Sequence, residues 1–255
     1  MQYPIVLVHG LFGNLSDPKI VAAFGNHQVY TPDLLGYGQF QSVDLKELTL
    51  TDQADYLADQ ILSAELGPVH LVGHSVGGAV SVLVANRYPH ILASLTSIEG
   101  NFTLKDAFWS SKIAKMPLAE VTAIISGYKE NPDKWIADAG VPISDWTSSL
   151  AQSWLEHQPP ATIKAQAAAV VEATRPPSYL EIIQTLMQSK LPVNLIAGSR
   201  SAAEWDVPVW ANQLCSMRIN ITDVGHLMMA ESPEKFATSI IVCTELTMQS
   251  KSLVP

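Results

Sequence analysis

The 255-residue chain predicts an α/β fold with a mostly parallel sheet and one long helical insertion. Three observations carry that expectation. Short apolar strands alternate with helical patterns over roughly the first hundred residues. From Phe102 to Lys190, short helical patterns alternate with Pro117, Pro132, Pro142, Pro159-Pro160 and Pro176-Pro177, and no convincing strand appears. Strand–helix alternation then resumes at Pro192-Val193-Asn194-Leu195-Ile196-Ala197-Gly198.

Taken in order, Ile5-Val6-Leu7-Val8 reads as the first strand. Asp17-Pro18 opens a short helix through Ile20, Val21 and Phe24, with proline suited to the first turn. Val29-Tyr30-Thr31 is the next strand. Leu50, Ala54, Leu57 and Ile61 recur at steps of 4, 3 and 4 and mark one buried helix face. Thr49-x-x-Asp52 forms a capping box at its start, and Gly67-Pro68 supplies the stop. Pro68-Val69-His70-Leu71-Val72 reads as a short buried strand, and Gly78 to Ala85 as a buried helix ending before Pro89. Ile91 to Ile98 is a strand that ends at Glu99-Gly100-Asn101. Met217-Arg218-Ile219-Asn220-Ile221-Thr222 alternates as a late strand.

Composition bounds the partners. With 47% hydrophobic and 15% charged residues, the chain can bury a full core as one domain carrying an insertion. A net charge of −9, a pI near 5.1 and no Lys/Arg stripe argue against nucleic acid. The two cysteines, Cys215 and Cys243, have no metal or redox spacing and read as small core fillers. No basic leader precedes the first strand, and no apolar run reaches the ~18 residues of a membrane span. A cytoplasmic location is the default expectation. The tail Ser252-Leu253-Val254-Pro255 reads as an expression-linker scar outside the fold.

Three motifs carry chemistry. Gly73-His74-Ser75-Val76-Gly77 fits the G-x-S-x-G nucleophile elbow, with a strand before it and a helix after it. Its glycines allow strand and helix to approach where a Cβ would clash. His9-Gly10-Leu11-Phe12-Gly13 follows the first strand and can aim backbone N–H groups at the site beside the elbow. Gly225-His226-Leu227 follows the last strand, where a catalytic base is wanted.

Together these motifs resemble the α/β-hydrolase superfamily over nearly the whole chain. Pro32-Asp33-Leu34-Leu35-Gly36-Tyr37-Gly38 resembles that family's P-D-x-x-G-x-G loop. Gly225-His226 with Glu231-Ser232-Pro233-Glu234 resembles its histidine loop. The resemblance implies an α/β-hydrolase fold lacking the two N-terminal strands, with a helical cap inserted before the last two strands. The core then covers 1–101 and 191–250, and the cap 102–190.

A serine hydroxyl needs a neighbouring base, so Ser75 and His226 are read as nucleophile and base. The amides of Leu11 and Val76 are the expected oxyanion hole. The acid departs from the common family pattern G-x-x-D, because that stretch reads Gly198-Ser199-Arg200-Ser201. Glu99, at the end of the strand after the elbow helix, is the first choice for the acid, and Asp206 the alternative. Asp223 reads as a turn residue, and His74 as structural. Trp109, Trp135, Trp146 and Trp154 are substrate-binding candidates, with burial in the cap's own core as the other reading.

These residues imply hydrolysis of a carboxylic ester, or of a lactone or thioester, through a serine acyl-enzyme. The expected substrate is a hydrophobic small molecule. No cofactor or metal is implied, nor a nucleic-acid or membrane partner, and the chain is expected to be a monomer or homodimer. The missing early strands also resemble the plant hydroxynitrile-lyase and methylesterase branch. A C–C hydrolase or lyase, and a non-catalytic ligand receptor, are the competing readings.

Overall fold

The computed structural model describes the backbone of residues 2–252 and side chains through residue 246. Leu253-Val254-Pro255 of the tail lie outside the described residues. In chain order the elements begin β1 (Ile5–Val8), α1 (Pro18–Ala22), β2 (Val29–Tyr30), α2 (Leu50–Ser63), β3 (Val69–His74), α3 (Val76–Arg87) and β4 (Leu92–Ile98). An uninterrupted helical stretch follows: α4 (Phe108–Lys115), α5 (Leu118–Glu130), α6 (Pro132–Asp138), α7 (Asp145–Glu156), α8 (Pro160–Thr174) and α9 (Pro177–Gln188). The chain closes with β5 (Val193–Gly198), α10 (Val209–Leu214), β6 (Met217–Ile221), α11 (Met228–Glu231) and α12 (Pro233–Ser252).

The six strands form one sheet in the order β2-β1-β3-β4-β5-β6, and every neighbouring pair is parallel. Successive strand residues point to opposite faces, and two apolar layers result. Val6, Val8, Leu71, Leu95 and Leu195 pack with Leu57, Ile61 and Val80 of α2 and α3. Ile5, Leu7, Val72, Ile98 and Ile196 pack on the other face with Ile20, Phe236 and Ile240 of α1 and α12. Both faces are covered, so the central strands are buried at every position rather than alternating between buried and exposed.

The expected α2 face is buried at all four positions, Leu50, Ala54, Leu57 and Ile61. Its capping box is formed: Asp52 N–H donates to Thr49 Oγ1 (3.1 Å) and Thr49 N–H to Asp52 Oδ2 (2.8 Å). Several boundaries move. β3 continues to His74 and α3 begins at Val76, so Ser75 alone separates strand from helix. Phe24 falls past the end of α1 yet stays buried against Phe236, their rings 6.1 Å apart. Asp223 occupies a left-handed turn (φ 63°), Cys215 is half-buried, and Cys243 is buried with its thiol 3.7 Å from Met217 Sδ.

From β1 the chain turns to β2 on one side and returns to β3 on the other. A crevice opens outside the carboxyl ends of strands where the winding reverses in this way. Each motif sits there: Leu11 after β1, Ser75 after β3, Glu99 after β4, Ser201 after β5 and His226 after β6.

Candidate active site

The elbow is held open by backbone crowding. Ser75 adopts φ 53° and ψ −123°, a region that a side chain strains to occupy. Its N–H donates to Ile98 O (3.0 Å), which ties the turn to the end of β4. A Cβ on Gly73 would stand 2.3 Å from Gly77 O, and one on Gly77 would stand 2.3 Å from His9 O. Only glycine permits this approach of α3 to β1 and β3, and the approach pushes the serine hydroxyl outward.

His226 Nδ1–H donates to Glu99 Oε2 at 2.6 Å. The other carboxylate oxygen, Oε1, accepts from Gly198 N–H (2.8 Å) and from the Ser201 hydroxyl (2.5 Å). Glu99 is 6% exposed and sits at φ 42°. Burial opposes its ionisation, but the hydrogen bonds from His226, Ser201 and Gly198 outweigh that cost and hold its pKa below the ordinary value. Ser201, at the position where the G-x-x-D pattern has its acid, thus donates to the Glu99 carboxylate.

Asp206 lies elsewhere. Its carboxylate accepts from Thr103 Oγ1 (2.7 Å) and pairs with Lys105 Nζ (3.3 Å), so it ties the start of the insertion to the loop after β5. It does not meet His226. His74, expected to be structural, donates from Nε2 to His226 O (2.9 Å) and lays its ring 4.6 Å from the His226 ring. Burial lowers its pKa to about 3, which keeps it neutral beside the second imidazole.

Ser75 and His226 line one cavity. Among the described residues no hydrogen bond joins the Ser75 hydroxyl to the ring, and such contacts often tighten only when substrate is bound. Leu11 and Val76 line the same space, and neither backbone N–H has an acceptor among the described residues. The Leu11 amide is oriented from behind. His9 Nδ1–H donates to Gly10 O (2.8 Å), the carbonyl of the peptide unit that carries Leu11 N–H. His9 Nε2 accepts from Leu34 N–H (3.3 Å), which fixes the tautomer, and burial lowers the ring's pKa to about 4. Tyr37 Oη–H donates to Leu11 O (3.0 Å) and clamps the next peptide. Asp33 of the same loop accepts from His157 Nε2 (2.7 Å), just beyond α7, and joins the core to the insertion.

The cavity measures about 860 Å³, near the upper end for small-molecule sites. Trp109, Trp135 and Trp154 line it. Trp146 does not: its indole N–H donates to Asp17 (3.2 Å) and Lys19 Nζ lies 4.1 Å over its ring, so it braces α7 against α1. Several lining residues were not singled out as site residues in the sequence. Phe12 extends the loop after β1 into the cavity, Tyr128 and Trp205 add aromatic wall, and Phe108 stands 71% exposed at the mouth. Phe12 had a signal, its place beside Leu11 after a strand-end His-Gly. Lys105 also lines the cavity. Among the described residues no cluster of three His, Cys, Asp or Glu could hold a metal, and no helix is long and apolar enough to cross a membrane.

Comparison with known proteins bears on the fold. The chain is similar to Lipase 1 of Psychrobacter immobilis, with 30% identity over 114 residues, 44% of this chain and 34% of the lipase. It thus spans about a third of the length of the curated relative it matches. A crystal structure from work on carboxylesterases of Nitrososphaera gargenis superposes with a TM-score of 0.76 at 19% identity, covering 98% of this chain and 92% of that one. A thermophilic esterase from Thermogutta terrifontis superposes with a TM-score of 0.68 at 21% identity, covering 97% and 91%. The model of the alpha/beta hydrolase family matches residues 5–239. With that match running from β1 into α12, the chain belongs to the alpha/beta hydrolase family.

Proposed function

We propose that the chain is a serine hydrolase that cleaves carboxylic esters of hydrophobic small molecules, with 102–190 acting as a cap over the site. The observation that carries this reading is the bond from His226 to the buried Glu99 carboxylate, with both residues facing the same cavity as Ser75. His226 Nε2 takes the hydroxyl proton as Ser75 Oγ attacks the ester carbonyl. The oxyanion forms between the Leu11 and Val76 N–H groups, where each donor stabilises the transition state by about 3 kcal/mol. The C–O bond then breaks, the leaving alkoxide takes the proton from His226, and an acyl-Ser75 ester remains. Water, deprotonated by His226, attacks that ester and releases the acid and the free serine. A lactone or thioester passes through the same steps, and none of them needs a metal or organic cofactor.

The test is turnover of a p-nitrophenyl ester panel together with covalent labelling by a fluorophosphonate. Both are expected in the wild type and both are lost in Ser75→Ala. Labelling that persists in Ser75→Ala refutes the serine assignment. A wild type that folds but neither labels nor turns over any ester refutes the hydrolase reading and favours a ligand receptor.

A further inference from the structure

A second pocket of about 480 Å³ lies between α4, α5 and α6, on the far side of an aromatic wall. Trp109, Tyr128, Trp135 and Asp138 line both this pocket and the catalytic cavity. Phe12 packs against this wall from the cavity side, its ring 5.3 Å from Trp109 and 5.5 Å from Trp135. The oxyanion loop therefore touches the same rings that bound the outer pocket. Beyond them Ile113, Met116, Ala123 and Ile124 give an apolar lining, and Lys112, Asn131 and Lys134 add polar groups. Gly127 of α5 lines this space, and no atom stands within 4 Å of where its Cβ would be.

We propose that the outer pocket is a second subsite, receiving the distal part of a long unbranched apolar chain carried by the ester. The inference rests on the ester-hydrolase reading and names its substrate class. An acetyl or butyryl ester occupies little of an 860 Å³ cavity. A longer chain passing between the Trp109 and Trp135 rings removes apolar surface from water on both sides of the wall. Each methylene so buried raises kcat/KM by up to about fourfold, until the chain fills the pocket.

The experiment uses two series, p-nitrophenyl esters from acetate to dodecanoate and alkyl acetates of matching length, which separate an acyl tail from an alcohol tail. Gly127→Phe fills the outer pocket without touching the catalytic groups, and Ala123→Phe, from the same helix, is its independent counterpart. Wild-type kcat/KM is expected to climb with chain length in at least one series. Either variant is expected to leave acetate and butyrate within about twofold and to lower the longest substrate tenfold or more. A flat wild-type profile, or one that a folded variant leaves unchanged in both series, overturns the subsite. Binding of dodecanoate and dodecanol to Ser75→Ala, read by tryptophan fluorescence, tests the pocket without turnover. Tight binding that Gly127→Phe weakens tenfold, with no wild-type turnover of any ester, sinks the hydrolase reading and keeps the pocket. Normal turnover of short esters with no binding of either long probe does the reverse.

Discussion

Glu99→Gln isolates the charge of the proposed acid while keeping its shape. Gly198 N–H and the Ser201 hydroxyl both donate to Oε1, and His226 alone uses Oε2. A glutamine keeps the first two bonds through its carbonyl oxygen, and its NH₂ must then face His226 Nδ1. An NH₂ group donates, so Nδ1 has to accept, and the ring proton moves to Nε2. That tautomer cannot take the Ser75 proton, and no carboxylate remains to stabilise an imidazolium. The equivalent change in a serine-protease triad lowers kcat about 10⁴-fold. We expect kcat to fall by roughly 10³ to 10⁴, about 4–5 kcal/mol of activation free energy, with KM little changed. Steady-state kinetics on p-nitrophenyl butyrate measures it, with circular dichroism to confirm folding. Asp206→Asn, which disturbs only the contacts to Thr103 and Lys105, is expected to stay within about threefold of wild type. A Glu99→Gln enzyme retaining a tenth of wild-type kcat, or an Asp206→Asn enzyme more impaired than it, defeats the assignment.

Three other outcomes are expected. Ser201→Ala removes one charge-assisted hydrogen bond of about 1.5–3 kcal/mol from Glu99, so kcat drops roughly ten- to a hundredfold while short-ester KM holds. No measurable loss would assign the contact to packing alone. Gly13→Ala places a Cβ 2.2 Å from Trp154 Cγ at φ 68°, and left-handed strain plus overpacking cost about 2–5 kcal/mol, seen as a lower urea midpoint. The pKa of Glu99 is depressed in the folded state, so its ionised form adds stability above its unfolded pKa of about 4.3 and loses it as pH falls through the lower folded value. Urea unfolding from about pH 6 down to pH 3 should then show wild type losing stability faster than Glu99→Gln below about pH 4.

The parts of the fold that follow from periodicity were legible in the sequence. Leu50, Ala54, Leu57 and Ile61 mark one α2 face by spacing alone, and the strands around Val6, Leu71 and Leu195 are rich in apolar residues because helices cover both sides. The site's strand-end loops were legible too, since Ser75, Leu11 and His226 each follow a recognisable strand. Choosing between Glu99 and Asp206 was harder, because each lies near the carboxyl end of a strand of the same sheet. What separates them is a few ångströms of loop path after β5, which depends on Thr103, Lys105 and Asp106 gathering Asp206 away. Trp146 illustrates the remaining gap. Nothing in its neighbours says which side of α7 meets the cavity, and its partners Asp17 and Lys19 lie far back along the chain. Helix packing within the insertion is a tertiary property with no local periodic signature.

Glu99 has a consequence for synthesis. Its three donors, Gly198, Ser201 and His226, lie 99, 102 and 127 residues downstream, beyond all six inserted helices. A ribosome that has released the first half of the chain has already delivered Ser75, Leu11 and Glu99, but not His226. Until β5 and β6 add to the open edge beside β4, that half-made product holds a bare carboxylate and an inert alcohol. On the proposed serine-hydrolase reading, the Ser75 hydroxyl thus stays dormant through emergence and arms only when the last strands dock.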